Sequence, residues 1–268
     1  MRFNRLYLWL VGFLQKVRRK VHRLCGREQF DEVELVYLQL SGELENKVMI
    51  DVGAHYGTAF APFLLKGWRV IAFEPDQVNL DALNKRMKGI PIFAKDNLTI
   101  IQKAVTLKDG DRLDFYRSSE SSGISGLIPF RNSHQVGQVA ETITLKTALE
   151  EHGCDKAGFL KVDTEGFDLF VLQSFPWAEK EAPEVIVCEF EDQKTSHVGY
   201  VHQHLGQFLL DKGYHVLISE WEPIVRYGIQ HKWSSMKRYP CTLESPNGWG
   251  NFIAVKNPRF LDKLIQSV

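Results

Sequence analysis

The sequence has few cysteines and no pattern that would join them in a metal or redox site. Its four cysteines, Cys25, Cys154, Cys188 and Cys241, form no Cys-x-x-Cys pair, so neither a zinc knuckle nor a redox motif is present. Reduced thiols in a cytoplasmic enzyme are the favoured interpretation. Two disulfides are the alternative, but a domain of this size does not need them and no secretory cleavage site supports that compartment.

The chain also lacks net charge, internal repeats and low-complexity linkers. Its 33 Lys and Arg residues balance its 33 Asp and Glu residues, so no global basic excess points to nucleic acid. The length of 268 residues suits one α/β domain with a modest extension, and it is sufficient to bury a substantial core.

No apolar run is long enough to cross a membrane. The longest amino-terminal run, residues 6–14, falls short of the ~20 residues that a spanning helix needs. Eight basic residues surround it and precede or flank the first acid, Glu28: Arg2, Arg5, Lys16, Arg18, Arg19, Lys20, Arg23 and Arg27. Three interpretations remain, which are a helix packed on the main domain, an interfacial anchor with Trp9 and Phe13 in the headgroup layer, and, least favoured, a signal peptide.

We therefore expect two regions. Residues 1–45 form a basic amphipathic helical extension, and residues 46–268 form the main domain. The expected location is the cytoplasm, at the inner face of a membrane if residues 1–28 act as an anchor.

Short apolar runs alternate with amphipathic stretches from Lys47 onward, which predicts strand-helix-strand units around a mostly parallel sheet. The predicted strands are residues 47–51, 69–74, 98–105, 158–163, 184–190, 215–219 and 251–255. Helices are predicted over residues 58–66 and 76–88, the second with an apolar stripe of Val78, Leu80, Leu83 and Met87. Residues 112–116 predict a hairpin excursion after the Asp109-Gly110 turn. Residues 118–137 predict a mobile loop over the site, or a plain surface connection.

A glycine loop, Asp51-Val-Gly-Ala-His-Tyr-Gly57, joins the first predicted strand to the first predicted helix. Gly53 permits a sharp turn and lets a ligand approach the backbone, and Gly57 lets the helix begin close to the strand. Asp51 stands where a dinucleotide-binding loop usually has glycine, and its carboxylate would repel a diphosphate. The loop therefore favours a cationic ligand, although a simple turn is the alternative.

An acidic residue ends the second predicted strand. Glu74, followed by Pro75, is positioned to accept hydrogen bonds from both ribose hydroxyls of a nucleoside. Together with the glycine loop, it predicts an adenosine pocket.

With the glycine loop and the acidic residue after the second predicted strand, the chain resembles the FkbM family of S-adenosylmethionine-dependent methyltransferases. The resemblance rests on Ile50-Asp-Val-Gly-Ala-His-Tyr-Gly57, Ala72-Phe-Glu-Pro75 and Leu160-Lys-Val-Asp-Thr-Glu-Gly-Phe-Asp168, and it covers about residues 48–255. It implies a Rossmann-like class I α/β fold, with a seven-stranded mostly parallel sheet and helices on both faces. It also implies O-methylation of a hydroxyl on a sugar, glycolipid or polyketide-like acceptor, with S-adenosyl-L-methionine as the cofactor.

The resemblance also implies site residues. The cofactor-binding set is Asp51, Gly53, His55, Gly57, Glu74 and Pro75, with His55 at a position that is commonly Asn in this loop. Asp163 and Glu165 lie at the reaction mouth as candidate proton acceptors, although capping a turn or pairing with Lys161 is the structural alternative. Apart from the resemblance, His134 and His197 are further candidates for the catalytic base, because each lies in or near a predicted loop over the mouth and histidine titrates near neutral pH.

Further polar and aromatic residues leave alternatives open. Glu189, Glu191 and Asp192 either bind acceptor hydroxyls or face solvent. Asp163, Glu165 and Glu189 carry the hard oxygen ligands that Mg²⁺ prefers, but spacing alone cannot show convergence, and no metal is assigned. Aromatic residues concentrate in the last third, where they either pack in the core or stack on a sugar: Trp221, Tyr227, Trp233, Tyr239 and Trp249.

Two other functions remain as alternatives. A nicotinamide-dependent oxidoreductase would use the same strand-loop-helix unit, and Asp51 argues against it. A non-catalytic, membrane-associated scaffold would keep the fold and act through the basic segment. The oligomeric state is left open.

Overall fold

The structure is a computed structural model that describes residues 30–227 and 229–268. The basic segment at residues 1–28 lies outside these residues, so the predictions made for it stay predictions. None of the described helices is both long and apolar enough to cross a membrane.

Eleven strands lie in the described residues: β1 (Val48–Val52), β2 (Arg69–Phe73), β3 (Leu98–Ile101), β4 (Ala104–Val105), β5 (Arg112–Ser118), β6 (His134–Ile143), β7 (Phe159–Val162), β8 (Val185–Glu191), β9 (His215–Trp221), β10 (Trp233–Arg238) and β11 (Trp249–Val255). Eight of them form one sheet in the order β10-β9-β11-β8-β7-β1-β2-β3. The run from β8 to β3 is parallel, whereas β11, β9 and β10 pair antiparallel. A second sheet has the order β4-β6-β5.

Nine α-helices lie in the same part of the chain: α1 (Glu32–Leu40), α2 (Ala61–Leu65), α3 (Gln77–Met87), α4 (Ile92–Lys95), α5 (Leu145–Glu151), α6 (Asp168–Gln173), α7 (Asp192–Thr195), α8 (His202–Asp211) and α9 (Pro258–Ile265). Asp76 caps α3 as predicted, because its carboxylate accepts a hydrogen bond from the Val78 amide at 3.2 Å.

The core lies on both faces of the large sheet, because alternate residues of each strand point to opposite sides. On β1, Met49 packs with α1, α2, α3 and α9 in one apolar cluster, whereas Ile50 packs with α5, α6 and α8 in the other. The predicted α/β class, with a mostly parallel sheet and helices on both faces, is therefore confirmed.

The strand count differs from the expected seven. The additional strand β10 has the sequence Trp-Ser-Ser-Met-Lys-Arg and lies half-buried or exposed at the edge of the sheet. Its polar residues carry little of the apolar pattern that indicates a strand. Edge strands of this kind are paired on one side only, so packing does not require that pattern.

Three local predictions were wrong. The single strand predicted over residues 98–105 is two strands, β3 and β4, and β4 joins the second sheet. The predicted loop over residues 118–137 ends at Ser133, because β6 begins at His134 and pairs with β5. Val78, which was assigned to the apolar stripe of α3, is 55% exposed.

Helix α1 is part of the core. Its residues Leu35, Val36 and Leu40 are buried with those of α2 and β2. Its first residue, Glu32, accepts hydrogen bonds from Ser219 Oγ at 2.7 Å and from Trp221 Nε1 at 2.8 Å. These bonds fix the start of α1 against β9.

Candidate functional site

A cavity of about 540 Å³ opens at the carboxyl ends of β1, β2 and β7. Gly53, Glu74 and Asp163, which directly follow or lie just beyond these strands, all line it. The three sequence motifs, far apart along the chain, therefore meet at one edge of the sheet. The predicted loop lies over this edge, since Ser122, Gly123, Ser125, Gly126 and Leu127 also line the cavity.

The glycine loop turns sharply at Gly53. This residue has a φ of 81°, and a Cβ atom added there would lie 1.9 Å from the carbonyl oxygen of Asp163. The amides of Gly53 and Ala54 both donate to the carbonyl of Phe73, at 3.0 Å and 2.9 Å. Only glycine fits this position, because any side chain would collide with the β7 end of the site.

Glu74 is buried in the cavity wall and holds the loop in place. Its Oε2 accepts from the His55 amide at 2.7 Å, and its Oε1 accepts from the Asp76 amide at 2.9 Å. Burial raises the pKa of Glu74 to about 7, although these amide donors act in the opposite direction. Its neighbour Pro75 also lines the cavity.

The structure places Asp51 behind the loop rather than in the cavity wall. Its side chain is fully buried, and its Oδ1 lies 3.3 Å from Lys161 Nζ. The same ammonium donates to the Gly53 carbonyl at 2.7 Å and lies 3.4 Å from Asp163 Oδ2. Burial raises the pKa of Asp51, and Lys161 opposes that shift. Asp51 thus acts on the loop through Lys161.

Lys161 was considered only as a partner for Glu165, yet it joins three parts of the site. Burial alone would lower its pKa, but Asp163 and Asp51 raise it overall, so the side chain stays charged. The sequence did contain a signal, because a lysine inside an apolar central strand is almost never buried without a charged partner.

A second buried lysine organises the acidic residues beyond β7. Lys194 lies 3.2 Å from Glu189 Oε2 and 2.8 Å from Glu191 Oε2, and it also pairs with Glu165. Burial alone would lower the pKa of Lys194, but the three carboxylates raise it overall. Burial raises the pKa of Glu165, and Lys194 opposes that shift. Glu189 and Glu191 therefore neither face solvent nor stand free, and sequence reasoning missed their common partner.

Carboxylate oxygens of Asp163, Glu165 and Glu189 lie within 4.8 Å of one another. This is the convergence that the spacing of the sequence could not show. The ammonium of Lys194 contacts two of the three. The ammonium group of Lys194 is thus a positive charge within this carboxylate cluster.

His134 does not reach the cavity. Its Nε2 lies 2.8 Å from the Ile124 carbonyl, its Nδ1 lies 3.3 Å from the Arg131 carbonyl, and its ring packs on Phe130. Because both ring nitrogens face main-chain oxygens inside the loop, the structure gives His134 a loop-anchoring position. His197, in a short 3₁₀ turn after α7, also does not line the cavity.

The remaining predicted residues divide between the wall and its support. His55 lines the cavity, whereas Gly57 lies behind it with a φ of 71° and packs so closely on Phe60 that a Cβ atom would lie 2.7 Å from the ring. Asp163 and Glu165 both line the cavity. Asp192 instead pairs with His202 at 2.6 Å.

The other side of the cavity comes from parts of the chain that the motifs do not include. It is lined by Phe30, the first turn of α1, Trp221, Trp249 and Asn251. The indole rings of Trp221 and Trp249 stack with centroids 5.4 Å apart. Of the aromatic residues predicted either to pack or to stack on a sugar, Trp221 and Trp249 line the cavity, whereas Trp233 packs on Phe30 at 4.5 Å.

Comparison with known proteins identifies one domain. The family model described as the methyltransferase FkbM domain matches residues 51–216. No curated protein matches the sequence.

Several solved structures share the fold at low identity. A precorrin-6y C5,15-methyltransferase from Geobacter metallireducens has 13% identity and a TM-score of 0.45, over 84% of this chain and 88% of that one. The carboxyl-terminal domain of precorrin-6Y C5,15-methyltransferase from Rhodobacter capsulatus has 13% identity and a TM-score of 0.40, over 81% of this chain and 84% of that one. An rRNA methylase from Streptococcus thermophilus has 9% identity and a TM-score of 0.41, over 84% of this chain and 95% of that one. At these TM-scores the likeness supports no argument about the reaction.

Proposed function

The chain belongs to the methyltransferase FkbM domain family, which makes it a methyltransferase, and from that premise we propose that it uses S-adenosyl-L-methionine to methylate a hydroxyl oxygen of a sugar, glycolipid or polyketide-like acceptor. The observation that carries the proposal is the meeting of Gly53, Glu74 and Asp163 in one cavity wall at the carboxyl ends of adjacent strands. No observation favours the oxidoreductase or scaffold alternatives.

The cavity suits a sulfonium nucleoside in size and charge. Its volume of about 540 Å³ falls within the range of small-molecule sites. Glu74 Oε1 accepts from the Asp76 amide and from Asn79 Nδ2, whereas Oε2 accepts from the His55 amide and has a second lone pair that can accept from a ribose hydroxyl. The carboxylate of Asp163 in the cavity wall attracts a cationic sulfonium. When bound there, S-adenosyl-L-methionine supplies an electrophilic methyl group.

Within this proposal Asp163 is the proton acceptor. Its side chain is 42% exposed, which leaves room for an acceptor hydroxyl beside its Oδ atoms. A hydroxyl has a high pKa, so a carboxylate within hydrogen-bond distance assists by taking the proton as the oxygen attacks. Lys161 Nζ lies 3.4 Å from Asp163 Oδ2 and holds this carboxylate in position. Glu165, held by Lys194, orients the same hydroxyl.

The acceptor binds against the wall formed by Trp221, Trp249 and Asn251. These residues lie across the cavity from the proposed ribose position at Glu74 and outside the matched residues 51–216. Indole faces bind the apolar faces of sugars, and a carboxamide can donate to and accept from hydroxyls.

Transfer of a labelled methyl group from the cofactor tests the proposal. We expect label to appear on at least one member of a panel of glycosides, glycolipids and polyketide alcohols, and expect Asp163→Asn to abolish it. Trp249→Ala is expected to lower transfer while binding of S-adenosylhomocysteine stays within about twofold of wild type. Label found only on amines would contradict the assignment to oxygen, and no transfer by protein that binds the cofactor product would contradict the acceptor class.

A further inference from the structure

We propose that Ser122 fastens residues 122–127, here called the cover, to the glycine loop through His55 and Tyr56, and that this contact slows release of the cofactor. The inference rests on the proposed function, because it concerns the ligand held beneath the cover. It assigns a role to three residues that the chemistry of methyl transfer does not itself require.

The contact consists of two side chains that meet one hydroxyl. Ser122 Oγ lies 3.0 Å from His55 Nε2 and 2.9 Å from Tyr56 Oη. A serine hydroxyl can donate one hydrogen bond while it accepts another, so both contacts form at once. The imidazole and phenol rings stack with centroids 3.6 Å apart, which aims both polar ends at the same atom.

His55 also connects this contact to the proposed ribose position. Its main-chain amide donates to Glu74 Oε2 at 2.7 Å, while its ring reaches the cover. Its φ of 48° is uncommon for a residue with a side chain. The backbone conformation thus directs the ring toward Ser122 while the amide stays on Glu74.

The cover is attached differently at its two ends. Near its far end, Gly126 exchanges two main-chain hydrogen bonds with Tyr116 of β5, at 3.0 Å and 2.8 Å. At its near end, the bonds to Ser122 are the side-chain hydrogen bonds that join the cover to the glycine loop in the described part of the chain. Loss of these two bonds would detach Ser122, the near end of the cover, from the glycine loop, while His134 still holds the Ile124 carbonyl and Tyr116 still holds Gly126.

Residues on both sides of this contact line the cavity, namely His55 on the loop and Ser122 and Gly123 on the cover. A ligand beneath the cover leaves after the near end lifts, and lifting breaks both bonds to Ser122. The contact should therefore act on the dissociation rate more than on the association rate.

Stopped-flow measurement of S-adenosylhomocysteine dissociation tests the inference. Ser122→Ala removes both bonds, and we expect its dissociation rate to rise roughly tenfold. Tyr56→Phe and His55→Asn each remove one bond and should raise the dissociation rate roughly threefold. Asn is chosen because it tolerates the positive φ at this position. Ser119→Ala is the matched control, since Ser119 is an exposed serine that lies three residues before the cover.

The outcomes separate this inference from the proposed function. Wild-type protein that binds no S-adenosylhomocysteine overturns both. If wild type binds S-adenosylhomocysteine but Ser122→Ala leaves the dissociation rate unchanged, only the proposed role of the Ser122 contact is contradicted. The same holds if Ser119→Ala raises the rate as much as Ser122→Ala does. An equal loss in association rate, together with a lowered melting temperature, would show damage to the fold and would also count against it.

Discussion

Lys161 shows how one residue can decide the geometry of the site. Its ammonium contacts the buried carboxylate of Asp51, the carbonyl of Gly53 and the carboxylate of Asp163. Neither oxygen of Asp51 makes a hydrogen bond of good geometry with any described residue, so Lys161 is the charge that balances it. A buried ionised carboxylate without such a partner is strongly unfavourable.

Replacement of Lys161 should therefore destabilise the folded protein. We expect Lys161→Met to lower the free energy of unfolding by about 3–5 kcal/mol, because Asp51 would remain buried without a cation. The double variant Asp51→Asn with Lys161→Met should lose less than the single variant. Urea denaturation measures both, and a loss below about 1 kcal/mol in Lys161→Met would contradict this role.

Glu74 makes stability depend on pH. The folded protein holds its pKa at about 7, above the ordinary value of 4.5, because the side chain is buried. The folded state therefore binds this proton more tightly than the unfolded chain, so the associated stability is present at low pH and is lost as pH rises through about 7.

The matched variant is Glu74→Gln, which does not titrate. The free energy of unfolding of wild type relative to Glu74→Gln should fall by roughly 2–3 kcal/mol between pH 5 and pH 8. A change in stability that the substitution causes equally at every pH does not affect this comparison, because only the pH dependence of the free energy of unfolding is compared. Denaturation curves at several pH values provide the measurement, and parallel pH profiles would show that Glu74 does not titrate in this range.

At the scale of elements, the sequence predicted what burial dictates. Strands β1, β2, β7 and β8 are apolar because both of their faces are covered, and each was predicted within a residue or two. The boundary of β6 and the existence of β10 were missed, because most of their residues are half-buried or exposed and carry no clear period.

The site divides in the same way. Gly53, Glu74 and Asp163 could be predicted because each directly follows a recognisable strand or stands within a local motif. Lys194 could not, because its role depends on which distant elements meet. Nothing near Lys194 in the sequence indicates that Glu165 lies beside it.

Membrane binding by the amino-terminal segment, residues 1–28, remains a proposal. Its eight basic residues and short apolar run suit a helix that lies on an anionic membrane surface. Deletion of residues 1–28 should abolish flotation with vesicles that contain anionic lipid, while neutral vesicles serve as the control. Unchanged flotation would contradict the anchor and leave the packed helix and the signal peptide as the alternatives.

Across the whole molecule, the cavity has two walls of different origin. One wall contains Gly53, Glu74 and Asp163, from the matched residues 51–216, and the other contains the first turn of α1, Trp221, Trp249 and Asn251, from outside that range. Under the proposed function, the first wall binds the cofactor and the second selects the acceptor.

Calorimetric titration with S-adenosylhomocysteine tests the central claim most directly, because it asks whether the cavity binds the nucleoside at all. The account predicts micromolar binding by wild type and loss of that binding in Glu74→Ala, with the melting temperature measured for both proteins. A folded wild-type protein that gives no heat with either S-adenosylhomocysteine or S-adenosyl-L-methionine would contradict it.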